Sequence, residues 1–148
     1  MLCKNNPNLR KVICNRGDFP YFFILAKSIL ISINTMHELA VTQSILEISL
    51  RHAKEAGASQ VTGINLVIGE FASIVDDSVQ FYWELLAEGT LAKNAKLHFE
   101  RIAGEMTCTN CKYSFHPTDT NFSCPNCASE FVQITKGDEF RVDSIDVE

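Results

Sequence analysis

Two Cys-x-x-Cys pairs, Cys108-Thr-Asn-Cys111 and Cys124-Pro-Asn-Cys127, stand twelve residues apart and constrain this chain more than any other feature. Two residues between thiolates let a short turn aim both sulfurs at one ion. Two such turns supply the four soft donors that Zn²⁺ takes at about 2.3 Å in a tetrahedron. Iron in a rubredoxin-like site uses the same ligands, so softness alone does not separate the two metals. A thioredoxin-type redox motif needs one pair at a helix start after a strand, which two matched pairs fit poorly. With cysteine at all four positions no place is left for water or substrate, so the expected ion is a structural Zn²⁺ and not a catalytic one. The stretch from Met106 to Gly137 has little from which to build a core. Metal binding must then supply its folding free energy, on the order of 10 kcal/mol. His116, between the pairs, is expected to be an exposed loop histidine.

A chain of 148 residues that is 46% hydrophobic can bury one core, with at most a small stapled appendage. Cysteines in Cys-x-x-Cys pairs read as metal ligands in a reducing compartment, and a cytoplasmic location is expected. The net charge of -5 hides an asymmetry: residues 1–35 hold five basic residues against one acidic, and residues 36–148 hold eight against seventeen. An acidic body lacks the basic patch that gains affinity by releasing counterions, so no nucleic-acid partner is expected. The apolar run Phe19 to Ile33 is short for a spanning helix, carries Lys27 at its centre and is followed by no small-residue cleavage site. It implies no membrane partner. Residues 1–35 are read as a loosely packed leader that is not native to the mature protein, and Cys3 and Cys14 receive no role.

From Met36 to Ala56 the pattern is helical, with Leu39, Leu46, Leu50 and Ala53 in one stripe and Glu47, Arg51, Lys54 and Glu55 opposite. Gly57 ends that helix. Val61 to Ile68 reads as a strand. A second helix starts near Asp76 or Asp77, either able to cap it, and runs through Val79, Tyr82, Trp83 and Leu86 to a stop at Gly89. Ala95 to Ile102 alternates as a half-buried strand, and Glu139 to Val147 alternates with an irregularity at Ser144. The expected fold is α+β: two helices on a three-stranded sheet, with a zinc-ribbon-like four-cysteine module inserted before the last strand. The expected domains are 36–106 with 138–148, and 107–137.

Met36-His37-Glu38 opens the first helix. Thr35 and Glu38 can form a capping box, each side chain satisfying the other residue's amide. A rival use of the same atoms exists where Met36 is the chain's first residue: its free amine, the His37 amide and the His37 imidazole are spaced to chelate one ion. Such a nitrogen set suits square-planar Ni²⁺ or Cu²⁺ better than Zn²⁺. With Met36-His37-Glu38 at a helix start, a strand ending in Gly69-Glu70 and paired Cys-x-x-Cys before a last strand, residues 36–148 resemble the HypA/HybF family of hydrogenase nickel-incorporation proteins. The resemblance implies a nickel metallochaperone serving the [NiFe] hydrogenase large-subunit precursor, with urease maturation as a second role. It implies His37 as nickel anchor, Met36 (through its amine) and Glu38 as weaker nickel candidates, and Cys108, Cys111, Cys124 and Cys127 as zinc ligands. It further implies a HypB-type GTPase partner, and urease accessory proteins where urease is served. Residues 1–35 have no counterpart in the family.

The alternative is a zinc-ribbon protein-interaction or nucleic-acid-binding module, whose nucleic-acid version the acidic body disfavours. A metal-dependent hydrolase lacks support, because the sequence holds no H-E-x-x-H or nucleophile-elbow pattern. No enzymatic activity is expected. His52 and His98 have no partner spacing and are read as non-ligands.

Overall fold

Local patterning places the two helices and the three alternating strands where the chain forms them. The computed structural model describes residues 10–13, 34–118 and 121–148, with the side chains of residues 10, 13 and 34–37 left aside. Its elements are β1 (Arg10–Ile13), α1 (Asn34–Glu55), β2 (Val61–Gly69), a 3₁₀ turn (Glu70–Ala72), α2 (Asp76–Leu86), β3 (Lys96–Ile102), β4 (Glu105–Cys108), β5 (Ser114–Phe115), β6 (Val132–Lys136) and β7 (Phe140–Val147). A four-stranded sheet has the order β1-β7-β2-β3, and a three-stranded sheet the order β5-β4-β6. The three expected strands of the larger sheet are all present. The fourth, β1, comes from the stretch read as a loose leader and pairs antiparallel with β7, Arg10 opposite Val147 through Ile13 opposite Ser144. Residues 10–13 of the stretch read as a leader thus take part in the sheet. The apolar run from Phe19 to Ile33, with Cys3 and Cys14, lies outside the described residues. Among the described residues no helix is long and apolar enough to cross a membrane.

The chain divides into two compact units. One holds the described residues up to Leu66, Ile74–Phe99 and Arg141–Glu148; the other holds Val67–Ser73 and Glu100–Phe140. In the first, α1 packs on α2 over a core containing Val41, Ile45, Ile64, Leu66, Val79, Trp83, Ile145 and Val147, each 2% exposed or less. The buried face of α1 is not the expected stripe. Leu39 is 39% exposed, while Thr42, Ile45, Ser49 and Ala53 are fully buried. At 100° per residue the face is turned by roughly 80° from the stripe through Leu39. Thr42 and Ser49 become tolerable inside because their hydroxyls donate to the Glu38 and Ile45 carbonyls one turn back, at 2.6 and 2.7 Å. The helix ends as expected at Gly57, whose φ of 64° closes a Schellman motif with Ala58 N–H on the Ala53 carbonyl and Gly57 N–H on Lys54.

Neither Asp76 nor Asp77 caps α2. Val75 is the N-cap and makes no side-chain cap bond, while both aspartates sit in the first turn, where their charge favours the helix dipole. The expected irregularity in β7 is visible in its burial, which alternates up to Ser144 and changes phase at Ile145. Asn65 donates across the sheet to Ser144 and Asp146, at 3.2 and 3.3 Å.

The second unit contains a tight backbone crossing. A Cβ on Gly69 would overlap the Gly137 carbonyl, one on Gly104 would enter the Phe71 ring, and one on Gly137 would lie 2.6 Å from Gly104 Cα. Gly137 also has φ 95°, so both its conformation and its surroundings exclude a side chain. The Gly104 peptide is held from both ends: its N–H donates to Glu70 Oε2 at 2.6 Å, and its carbonyl lies 2.7 Å from His116 Nδ1.

Candidate metal centre

Cys108 ends β4, and the remaining three cysteines come from the turns between β4 and β6. Each Cys-x-x-Cys folds the same way. Lys112 N–H donates to the Cys108 carbonyl and Ala128 N–H to the Cys124 carbonyl, both four residues back. The Cys108 and Cys124 amides donate five residues forward, to Tyr113 and Ser129. Lys112 (φ 63°) and Ala128 (φ 56°) close the two knuckles in the left-handed region. Two superimposable turns thus present their sulfurs to a common point.

All four Sγ atoms lie within 4.8 Å of one another, with Cys108 to Cys127 at 3.6 Å and Cys111 to Cys124 at 3.5 Å. A tetrahedron with bonds of about 2.3 Å has sulfur–sulfur edges of about 3.8 Å, so the donor set fits one tetrahedral ion. Among the described residues this is the single cluster of three or more metal-binding side chains.

The thiols titrate as a set. The Cys111 amide holds the Cys108 thiol below its usual range. The Asn126 side chain and the Tyr113 amide bring the Cys111 thiol down to about 6. Cys127 is pushed up to about 11: the Ser129 amide favours its thiolate, but burial and the neighbouring sulfurs outweigh it. Amide donors therefore prepare the first thiolates, and mutual repulsion resists the last. A divalent cation removes that repulsion.

Core burial argues the same way. From Glu105 to Lys136 the buried described residues are Met106, Cys108 and Cys124, while Phe131 is 77%, Phe122 51% and Tyr113 49% exposed. A module with so little apolar interior needs a crosslink. Outside the cluster, Glu105 bridges to Lys136 at 3.2 Å, and the Lys136 ammonium, with Thr135, holds its carboxyl below the usual range.

Reasoning from spacing missed Asn110 and Asn126. Each is the second spacer of its pair, and each reaches a sulfur of the opposite pair: Asn110 Nδ2 to Cys127 at 4.0 Å, and Asn126 to Cys111. The repeated Cys-x-Asn-Cys was the available signal.

The other predicted residues are dispersed. His116 is exposed and sits outside the cluster, with Nδ1 on the Gly104 carbonyl. His52 Nδ1 lies 3.4 Å from Glu55, and His98 is exposed on β3. Met36 and His37 fall in α1, which starts at Asn34, and their side chains lie outside the described ones. Because Thr35 is inside the helix and not its cap, the expected capping box is not the start of α1. Glu38 is 7% exposed, and its Oε2 is buried without a hydrogen-bond partner. A carboxylate oxygen in that state is costly unless a cation or donor meets it.

Residues 36–147 match the family described as hydrogenase/urease nickel incorporation, metallochaperone, hypA. The hydrogenase maturation factor HypA of Dehalococcoides mccartyi strain 195 is 39% identical over 113 residues, which are 76% of this chain and 95% of that protein. The hydrogenase maturation factor HypA of Caldanaerobacter subterraneus subsp. tengcongensis is 39% identical over 114 residues, covering 76% and 100%. Among solved structures, a solution structure of HypA protein aligns with TM-score 0.60 and 29% identity over 76% of this chain and 97% of that one. The solution structure of the Ni metallochaperone HypA from Helicobacter pylori aligns with TM-score 0.54 and 28% identity, covering 73% and 94%.

Proposed function

Because this chain belongs to the HypA family of hydrogenase/urease nickel-incorporation metallochaperones, we propose that it carries Ni²⁺ to the large-subunit precursor of a [NiFe] hydrogenase. The observation that carries the reading is the family match, which begins at Met36 and runs to residue 147. Nickel is cargo. His37 anchors it, with Glu38 and, where Met36 is the first residue, the Met36 amine and the His37 amide as further donors. The unpartnered buried Oε2 of Glu38 supports a cation near the start of α1. Nitrogen donors in a plane favour Ni²⁺ over hard ions and over tetrahedral zinc, and an open edge lets an acceptor thiolate displace one of them.

Cys108, Cys111, Cys124 and Cys127 hold Zn²⁺, which crosslinks the second unit and supplies folding free energy there. The domains divide accordingly, nickel in 36–106 with 138–148 and zinc in 107–137. Transfer needs recognition of the hydrogenase maturation machinery, and a HypB-type GTPase and the large-subunit precursor are the proposed partners, with urease accessory proteins where urease is served. The role is carriage, not catalysis, in a reducing cytoplasmic compartment that keeps the cluster as thiols.

The test is metal stoichiometry for the chain beginning at Met1, the chain beginning at Met36, and His37→Ala in the latter. The Met36 chain should bind nickel best, with affinity falling as pH drops through about 6.5 because protons compete for imidazole and amine. Zinc should stay near one per chain in all three. Equal nickel binding by the three proteins would sink the terminal site.

A further inference from the structure

The four thiols of the metal centre differ in access and pair in a definite way. Cys127 is exposed and Cys111 half-buried, whereas Cys108 and Cys124 are buried. Cys127 lies 3.6 Å from Cys108, and Cys111 lies 3.5 Å from Cys124. Each contact runs from one knuckle to the other and joins the more accessible second cysteine of one pair to the buried first cysteine of the other pair. The sulfur most open to solvent therefore has a second sulfur within reach across the centre. An accessible thiolate with a neighbouring thiolate is what a hydroperoxide takes to a disulfide, because the neighbour resolves the sulfenic acid before it oxidises further.

We propose that Cys127 is a site of oxidation by hydroperoxides, with Cys108 as its resolving thiol, and that oxidation replaces the metal crosslink of this module by disulfides between the two knuckles. The inference rests on the assignment of the four cysteines to zinc and not on the nickel reading. Coordination keeps all four sulfurs as thiolates. Cys127 Sγ attacks one peroxide oxygen, the O–O bond breaks and hydroxide leaves, which gives a sulfenic acid at Cys127. The Cys108 thiolate then attacks the Cys127 sulfur, the S–S bond forms, the S–O bond breaks and a second hydroxide leaves. Each sulfur has lost one electron, and each peroxide oxygen has gained one. Two thiolates remain, too few to retain a tetrahedral divalent ion. A second equivalent of peroxide joins Cys111 to Cys124 in the same way.

The connectivity decides what happens to the fold. Bridges between the knuckles close loops across 19 and 13 residues and tie together the two turns that the ion held. Bridges within each Cys-x-x-Cys would tie each turn only to itself and leave the knuckles free to part. With the cross-knuckle pairing, the module gives up its metal and keeps its shape, ready to be reloaded once a thiol reductant reopens the bridges.

The zinc-loaded full chain carrying Cys3→Ser and Cys14→Ser, in which the four ligands are the remaining cysteines, tests this with hydrogen peroxide. Zinc is measured before oxidation, its release is followed with a chromogenic chelator too weak to strip the reduced protein, and bridges are mapped by mass spectrometry of unreduced peptides. One equivalent should release about one zinc per chain and yield the Cys108 to Cys127 bridge. A second should add Cys111 to Cys124 without further zinc, and dithiothreitol with Zn²⁺ should restore the starting state. Amide exchange from Glu105 to Lys136 should stay slower in the oxidised protein than in the chelator-stripped one. A protein that holds no zinc before oxidation would remove the zinc assignment and this inference with it. Zinc retained through oxidation, bridges within the Cys-x-x-Cys pairs, or a sulfinic acid at Cys127 would overturn the inference alone.

Discussion

Asn110 and Asn126 lie outside the four-cysteine count that spacing rules read, yet both reach its sulfurs and Asn126 acts on the charge state of the cluster. Each donates across to a thiol of the other knuckle, and the Asn126 contact is the main reason the Cys111 thiol sits at about 6. The sign of the effect is that of a depressed acid: Cys111 stabilises the metal-free fold fully above its ordinary 9.0 and ceases to do so as pH falls through about 6. Asn126→Ala should therefore weaken metal retention about tenfold, because the Cys111 thiolate loses its side-chain donor, and a chelator competition that finds unchanged affinity would remove the assigned role. The residue-level chemistry of the cysteines was legible because four thiols at two fixed spacings have few uses. The asparagines were not, because their donor role exists across two turns that meet only in space.

Helix boundaries and faces obey a different economy. The consecutive acids Asp76 and Asp77 suggested a side-chain cap for α2, yet the helix starts one residue earlier on Val75, between buried Ile74 and buried Val79. Packing of those two side chains sets the start, and the capping position goes to a valine that is 53% exposed. Val75→Ser should then stabilise the protein by about 1 kcal/mol, since it supplies the missing cap at little packing cost. Chemical denaturation would read it, and a loss of stability would show that Val75 packs more tightly than its exposure implies. The face of α1 was misread for a related reason. A hydropathy stripe counts Thr42 and Ser49 as solvent-facing, whereas a hydroxyl that returns its hydrogen bond to its own helix can be buried almost as freely as alanine. β3 was read correctly, because its alternation of Leu97 and Phe99 with Lys96, His98 and Glu100 contains no such ambiguous residue.

At the scale of the molecule, the two units rely on different forces. The first is held by a close-packed apolar core, and the second, apart from Val67 and Ile68 at the end of β2, buries between Glu105 and Lys136 only Met106 and two of its own cysteines. Stripping zinc with a chelator should accordingly raise amide exchange across Glu105 to Lys136, while α1 and Val61 to Leu66 keep their protection. Hydrogen exchange resolved by mass spectrometry separates this from a uniform loss, which would mean that the metal supports the whole chain.

The sequence by itself determined the α+β class, the two helices and three alternating strands of residues 36–148, and the presence of four soft donors at metal-binding spacing, because periodicity and ligand spacing are local properties. Tertiary structure alone decided which side of α1 is buried, that Glu38 has an unpartnered carboxylate oxygen, that Asn110 and Asn126 reach the opposite knuckle, and that Arg10–Ile13 pairs with the Ser144 to Val147 half of β7. Each of those depends on what a distant segment brings alongside, and no spacing along one stretch of chain encodes the partner that covers it.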